Sequence, residues 1–422
     1  MAEAAVEVVA IGNELLNGQT VDSNAAWLGR RLAAIGVRVV RRATVGDTAV
    51  DIRDAVTEAL ERTGAVICTG GLGPTPDDLT KPVVASIFHR ELVLDDALLE
   101  ALRRRFEERG IRMAANNRTQ AEVPAGATIF ANPRGTAPGL CLEDVPGRFA
   151  ILLPGVPSEM RAIVDGSVID YLSARWPDRP GPILHRTIRT TGIPESTLAQ
   201  RIDDLLPTFE PLTVAFLPGV SGVDLRLTSW GGLPEAEAIG QLDAADTALS
   251  ERLGASVYGR DEQDLVDVVS ERLVAAGLSL SVAESCTGGL IAKRLTDRPG
   301  ASRFLVAGIV SYSNDAKLRL LGVRPETLRA HGAVSGETVR EMVEGVRDRT
   351  GARAGVAVTG VAGPDGGSEA KPVGTVWIAA AIDSAVETRH LRLPGDRVEI
   401  RERAAQAALA LLLSLLPPTG GP

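Results

Sequence analysis

The sequence predicts an α/β protein in three parts. These are a three-layer domain with a parallel sheet over residues 1–170, a small α+β domain over 183–258, and a second α/β domain over 260–422. Three observations carry this. Short apolar runs alternate with helix-period patterns through the first 170 residues, the rhythm of a parallel sheet with helices on both faces. In the middle segment Val223, Leu225 and Leu227 alternate with Asp224, Arg226 and Thr228, a half-buried strand. In the last segment apolar strands run into loops of Gly, Ser, Thr and Asp, where α/β proteins build their sites.

Taken in order, Glu7–Ile11 reads as a buried strand. Asp22 or Ser23 caps a helix with the stripe Trp27, Leu28, Leu32 and Ile35, closed by Gly36. Strand Val37–Val40, a helix carrying Ile52, Ala55, Val56, Ala59 and Leu60, and strand Ala65–Cys68 follow. A helix with Leu98, Leu99, Leu102 and Phe106 ends at Gly110. Strand Phe149–Leu153 ends in Pro154-Gly155, and a last helix carries Met160, Ile163 and Val164. Residues 173–182, SARWPDRPGP, hold three prolines and predict a linker. Strands His185–Thr190, Thr213–Phe216 and Val223–Thr228 then alternate with helices near Leu198–Leu206 and Glu235–Leu253. The third domain opens with a helix to Ala276 and strand Leu278–Val282. Helix Gly288–Leu295, strands Leu305–Ser311, Ala354–Thr359, Thr375–Ala381 and Glu387–Leu393, and a helix from Asp396 complete it.

Composition narrows the function. Hydrophobic residues at 45% and charged residues at 23% exclude a mainly disordered chain. The net charge, 45 − 54 = −9, argues against a non-specific nucleic-acid binder. Cys68, Cys141 and Cys286 suit neither a disulfide framework nor a zinc site. The first ten residues lack the basic start of a signal peptide, and the apolar stretch Ala404–Leu416 falls short of the ~20 residues of a membrane span. A cytoplasmic protein is expected. Lysine is rare: of 45 basic residues only Lys81, Lys293, Lys317 and Lys371 are lysines, leaving 45 − 4 = 41 arginines. A lysine here marks a place that can require a compact or deprotonatable amine.

In the third domain Glu284-Ser285-Cys286-Thr287-Gly288-Gly289 lies between a strand and a helix. A hydroxyl there sits beside helix N-terminal amides that could hold an oxyanion or phosphate. Alternatively, Ser285 and Thr287 only cap the helix, and Cys286 is a rival nucleophile. Next, Ser311-Tyr312-Ser313-Asn314-Asp315-Ala316-Lys317 follows a strand. Tyr312 or Lys317 near Ser285 could be the base that activates its hydroxyl; a solvated lysine is the plainer reading. Thr359-Gly360-Val361-Ala362-Gly363-Pro364 continues to Lys371-Pro372-Val373-Gly374, a glycine-rich loop suited to close approach of a ligand. Arg397 and Arg401, four apart on one helix face, could clamp a phosphate.

The segments AESCTGG, YSNDAK, GAVS (Gly332–Ser335), TGVAGPDGG, KPVGTV and GDR resemble, in order, the C-terminal domain of the CinA (competence/damage-inducible) family, the PncC-type nicotinamide mononucleotide (NMN) amidohydrolase. The resemblance implies deamidation of NMN to nicotinate mononucleotide and ammonia, without a cofactor. It implies Ser285 as nucleophile and Tyr312 with Lys317 as the base system. Thr359 and Arg397, or Arg401, would lie against the substrate, with Glu284, Thr287, Gly288, Gly289, Asn314, Gly360 and Gly363 around it.

The first domain carries a second set. Gly12-Asn13-Glu14 leaves the first strand and reaches Asp22-Ser23-Asn24; Gly70-Gly71-Leu72-Gly73 leads to Asp77-Asp78-Leu79-Thr80-Lys81. The glycines leave room for backbone near phosphates, and the two aspartates could hold a hard divalent cation or cap a helix. GNELLNGQTVDSN, TGGLGPTPDDLT, NPRGTAPG and LPGVPSEM resemble the molybdopterin-binding fold of the MogA/MoaB/MoeA type, in its CinA version. That resemblance implies a metal-dependent ADP-ribose pyrophosphatase giving AMP and ribose 5-phosphate. Glu14, Asp47, Asp77 and Asp78 would hold a divalent metal such as magnesium, and Asn24, Gly70, Gly71, Gly73 and Lys81 would face the substrate. NMN and ADP-ribose are the expected small-molecule partners, with no membrane, no nucleic acid and a homodimer. The rival is a non-catalytic pterin- or nucleotide-binding scaffold in competence or DNA repair.

Overall fold

The computed structural model describes residues 4–145 and 147–417. The chain divides into two compact units, Met1–Leu184 with Ser229–Ile239, and His185–Thr228 with Gly240–Pro422.

The first unit holds strands β1 (Ala5–Ile11), β2 (Arg38–Val45), β3 (Ala65–Thr69), β4 (Leu92–Leu94), β5 (Glu122–Pro124), β6 (Thr128–Phe130), β7 (Gly139–Val145) and β8 (Arg148–Leu153). Its helices are α1 (Asn13–Leu16), α2 (Ser23–Ala33), α3 (Ala49–Thr63), α4 (Thr80–Ile87), α5 (Asp96–Glu108), α6 (Pro157–Ile163) and α7 (Ile169–Arg175). The main sheet runs β2-β1-β3-β8-β7-β6. Its first four strands are parallel; β7 and β6 extend it antiparallel. β1 and β3 are buried throughout because both faces are covered. On one face Leu28, Leu32, Met160, Ile163 and Leu172 pack on Val6, Val8, Ile67 and Ile151. On the other Ile52, Val56, Val83 and Val84 pack on Val9, Ile11, Val66 and Leu152.

The linker expected at 173–182 is instead packed structure. Arg179 donates to the carbonyls of Ile35 (2.5 Å), Ser173 and Trp176 (both 3.1 Å), and the Trp176 ring lies 5.7 Å from that of Phe149. The prolines restrict the backbone of a segment that an aromatic ring and a guanidinium hold in place.

The second unit begins with β9 (Leu184–Thr190), β10 (Thr213–Gly219), β11 (Gly222–Ser229) and β12 (Val257–Arg260), ordered β10-β11-β9-β12, with helices α8 (Glu195–Ile202) and α9 (Glu235–Leu253). A five-stranded sheet follows from β13 (Leu280–Glu284), β14 (Leu305–Val310), β15 (Ala354–Gly360), β16 (Thr375–Ile382) and β17 (Ala385–Arg392), in the order β14-β13-β15-β16-β17. The first three are parallel, and β16–β17 is an antiparallel hairpin. Its helices are α10 (Leu265–Ala275), α11 (Leu290–Thr296), α12 (Asn314–Leu321), α13 (Pro325–His331), α14 (Gly336–Thr350) and α15 (Arg397–Leu415). Val282 packs with α10, α11 and α15, whereas Ala283 packs with Val339, Met342 and Val343 of α14. By the strand period of two, Ser285, just past β13, projects to the face of Ala283. Among the described residues no helix is long and apolar enough to cross a membrane.

Candidate active site

Ser285 lies where β13 ends beside β15, and its backbone N–H donates to the Val358 carbonyl at 3.0 Å. Lys317 comes from the first turns of α12, which Ser313 caps by accepting from Ala316 N at 3.1 Å. Helical side chains lean toward the helix N-terminus, so Lys317 reaches back to the strand ends. Its Nζ donates to the Ser285 hydroxyl at 2.9 Å and to the Ser311 carbonyl at 2.7 Å. Lys317 is only 1% exposed, and burial brings its pKa from 10.5 down to about 8. An amine so placed can shed its proton near neutral pH and accept one from a hydroxyl.

The other members of this set divide into those that hold the loops and those left open. Tyr312 is 60% exposed, and its hydroxyl accepts from Arg397 at 3.0 Å. Arg397 also donates to the Gly363 carbonyl at 2.6 Å, so one guanidinium joins the Tyr312 and Gly363 loops. Arg401 donates to the Thr287 carbonyl at 2.7 Å, behind the Ser285 turn. Thr359 is buried and donates to the Ala333 carbonyl at 2.8 Å, tying in the GAVS loop. Lys371 holds the neighbouring His331 carbonyl at 2.7 Å. Asn314 opens α12 on the exposed side, and Gly360 ends β15.

Two expectations change here. The α11 amides are already paired: Gly289 N (2.9 Å), Ile291 N (3.2 Å) and Ala292 N (2.9 Å) all donate to the Glu284 carboxylate. The caps foreseen for Ser285 and Thr287 are therefore supplied by Glu284, which is fully buried and not placed to meet a substrate. Gly288 and Gly289 have φ of 62° and 94°, the left-handed conformations this turn requires. Cys286 is buried, and burial pushes its thiol up to about 12, which removes the thiolate a cysteine nucleophile needs.

In the first unit a cleft of about 460 Å³ opens where β1, β3 and β8 end. Gly12, Glu14, Asp47, Gly70, Gly71, Gly73, Asp77 and Asp78 line it, together with Gln120, Thr136 and Glu159. Gly70 has φ of 103°, and a side chain there would strike the Ile11 carbonyl. Asn24 ties the β8 loop by donating to the Gly155 carbonyl at 2.7 Å. Asp47 accepts from Asn13 N at 3.0 Å, and Asp78 from Thr75 N at 2.8 Å. A hydrogen bond from Thr75 holds the Asp77 carboxyl below its usual range. Lys81 does not line the cleft: it is buried, donates to the Thr119 carbonyl, and burial lowers its pKa to about 8.

Among the described residues no three of these acidic, His or Cys side chains stand close enough to hold an ion together. The all-oxygen donor set suits a hard divalent cation, but not as a closed protein cage. Such an ion takes one or two carboxylates plus the oxygens of a bound phosphate. Glu159, which accepts from Asn132 Nδ2 at 2.7 Å, is the carboxylate the sequence reading missed. Its signal was an acid two residues after Pro157, in the first turn of a helix.

Comparison with known proteins adds three family descriptions: the CinA C-terminal domain over residues 262–416, a probable molybdopterin binding domain over 7–174, and the damage-inducible protein CinA KH domain over 185–259. A CinA-like protein of Gemmatimonas aurantiaca is 51% identical over 406 residues, covering 96% of this chain and 94% of that relative. A putative competence-damage inducible protein of Symbiobacterium thermophilum is 45% identical over 415 residues, covering 96% and 97%. Among solved structures, the competence/damage inducible protein CihA of Agrobacterium tumefaciens is 42% identical, covers 36% of this chain and 96% of its own, and superposes with a TM-score of 0.35.

Proposed function

We propose, from the premise that this chain belongs to the CinA family, that it is a hydrolase acting on products of pyridine-nucleotide breakdown. The observation that carries the proposal is the buried 2.9 Å contact between Lys317 Nζ and Ser285 Oγ. In the neutral form Lys317 takes the hydroxyl proton as Ser285 Oγ attacks the carboxamide carbon of NMN. The tetrahedral adduct collapses as Lys317 returns that proton to the departing nitrogen, releasing ammonia and leaving an acyl ester on Ser285. Water, deprotonated by Lys317, cleaves the ester to nicotinate mononucleotide and frees the serine. Arg397 and Tyr312 stand at the exposed rim, suited to the sugar-phosphate end. The test is ammonia release from NMN by the full chain, abolished in Ser285→Ala. An inert wild type overturns the reading.

The cleft of the first unit supports a second activity, hydrolysis of ADP-ribose to AMP and ribose 5-phosphate. Glycine backbone at the strand ends suits a pyrophosphate, and Glu14, Asp47, Asp77 and Asp78 would hold a divalent ion arriving with it. That ion would withdraw charge from the phosphate oxygens. AMP formation with and without added magnesium tests this directly.

The scaffold alternative gains little from the middle segment. Residues 185–259 carry five arginines and ten acids, 5 − 10 = −5. KH modules that bind RNA clamp its backbone with a GXXG loop. Here Gly219-Val220-Ser221-Gly222 closes the β10–β11 hairpin on an acidic segment.

A further inference from the structure

A hydroxyl between a strand and a helix is ordinarily drawn into capping that helix. α11 has Gly289 as its N-cap, which offers no side chain. Ser285 and Thr287 are the nearest hydroxyls in sequence, yet Lys317 donates to Ser285 Oγ and Thr287 Oγ1 is buried without a partner. The capping comes from Glu284, whose Oε2 accepts from Gly289 N and Ile291 N and whose Oε1 accepts from Ala292 N. Glu284 is fully buried at the end of a strand where an apolar residue would avoid the cost of desolvating a charge.

We infer that Glu284 is a positioning residue for the nucleophile: by satisfying the α11 amides it keeps the Ser285 hydroxyl out of the cap and facing Lys317. The inference rests on reading Ser285 as the nucleophile. The capping stabilises α11, and its further task is to leave the Ser285 hydroxyl free for Lys317. The rest of the turn is held independently, by Ser285 N on the Val358 carbonyl (3.0 Å), Gly288 N on the Ser285 carbonyl (3.1 Å) and Arg401 on the Thr287 carbonyl (2.7 Å). Replacing the carboxylate therefore leaves the turn closed but its amides hungry, and the hydroxyls of Ser285 and Thr287 rotate toward them. Glu284 and Cys286 of the turn and Arg401 of α15 are the titratable and charged neighbours of this pocket, while Arg397 and Tyr312 pair with each other at the rim. Lys317 owes its lowered pKa to burial, so removing the carboxylate turns the Ser285 hydroxyl away and leaves the acid limb in place.

The test uses the full chain and a fluorophosphonate probe, with labelled Ser285 read by peptide mass spectrometry between pH 6 and 10. In this step the Ser285 Oγ–P bond forms, the P–F bond breaks, fluoride leaves and the hydroxyl proton passes to Lys317. In Glu284→Gln the side-chain NH2 faces backbone N–H donors it cannot accept from, while the C=O still accepts. The expected result is a labelling rate lower by roughly tenfold or more, an undisplaced acid limb, and a KM for NMN within about twofold of wild type. Glu284→Asp, which keeps the charge but is one methylene short, should label at an intermediate rate with an undisplaced limb. A wild-type labelling rate in folded Glu284→Gln overturns the inference. If that variant does not fold, wild-type labelling of Glu284→Asp overturns it, and slowed labelling supports it. A wild-type chain unlabelled at Ser285 overturns the nucleophile reading, and this inference with it. That outcome is distinct from a labelled wild type indifferent to Glu284.

Discussion

Lys317 Nζ and Ser285 Oγ, 32 residues apart in the chain, meet at 2.9 Å, the lysine buried and the serine nearly so. The lysine's other hydrogen bond goes to a carbonyl, and loss of water, more than any neighbouring charge, lowers its pKa. An amine held this way is a base in waiting, and its replacement by a permanent cation should be costly.

Lys317→Arg should lower kcat for NMN deamidation by roughly a hundredfold or more, with a modest change in KM, because an arginine cannot lose its proton. Lys293→Arg is the control: Lys293 is exposed and pairs with Asp297 at 2.5 Å, so turnover should stay near wild type. Steady-state kinetics of both variants check this, and wild-type turnover in Lys317→Arg assigns the base elsewhere.

The pH dependence follows from the sign of the shift. Only neutral Lys317 accepts the serine proton, so kcat/KM should rise with pH up to a limb near 8 and flatten above it. The same shift bears on stability. Between about 8 and 10.5 the unfolded chain holds a proton on Lys317 that the folded chain has lost. Stability should therefore increase with pH across that window. Lys81, also lowered to about 8, adds in the same direction. Denaturant unfolding at several pH values should show the rise, and Lys317→Met should flatten it in part.

Tyr312→Phe separates two base systems. The Tyr312 hydroxyl hydrogen-bonds Arg397 and Lys317 reaches Ser285 directly. Losing the hydroxyl should cost less than about tenfold in kcat, with the larger effect in KM. A loss as large as that of Lys317→Arg would put Tyr312 in the proton path.

Cys286 should be dispensable for chemistry. With its thiol pushed up to about 12 it carries no thiolate at neutral pH. Cys286→Ala should keep most deamidase activity while losing about 1–2 kcal/mol of stability from the vacated core. Ser285→Ala should be inert. Iodoacetamide that inactivates the wild type but not Cys286→Ala would reverse this.

A chelator should abolish ADP-ribose cleavage and leave NMN deamidation unchanged. Asp78→Ala should reproduce the first effect alone, since Asp78 lines the first cleft and no site residue of the second unit depends on it. Parallel assays of AMP and ammonia check the claim; equal sensitivity of both reactions would sink it.

Much of the fold was legible because it is written in local periodicity. β1, β3 and β8, and all five strands of the last sheet, fall within a few residues of their predicted places, since each apolar run is bounded by Gly, Pro or polar residues. Periodicity did not reveal the antiparallel extension β7–β6, where Gly139–Val145 follows a Pro- and Gly-rich loop that hides it. Nor did it reveal that 173–182 is packed, because proline marks turns in linkers and in ordered segments alike.

The sequence by itself determined the family, the order of the site motifs and the unusual value of a lysine in an arginine-rich chain. Residue type and spacing are properties of the chain, and six segments in order carry enough of both. Only the tertiary structure decided what each group touches. It set Lys317 rather than Tyr312 against Ser285, gave Glu284 the helix amides, turned Arg397 and Arg401 onto loop carbonyls, and drew Lys81 away from the cleft. Those outcomes depend on distances between strand ends far apart in sequence, and on which polar groups burial leaves without water. Neither is encoded locally: a buried donor takes the nearest acceptor that folding brings to it.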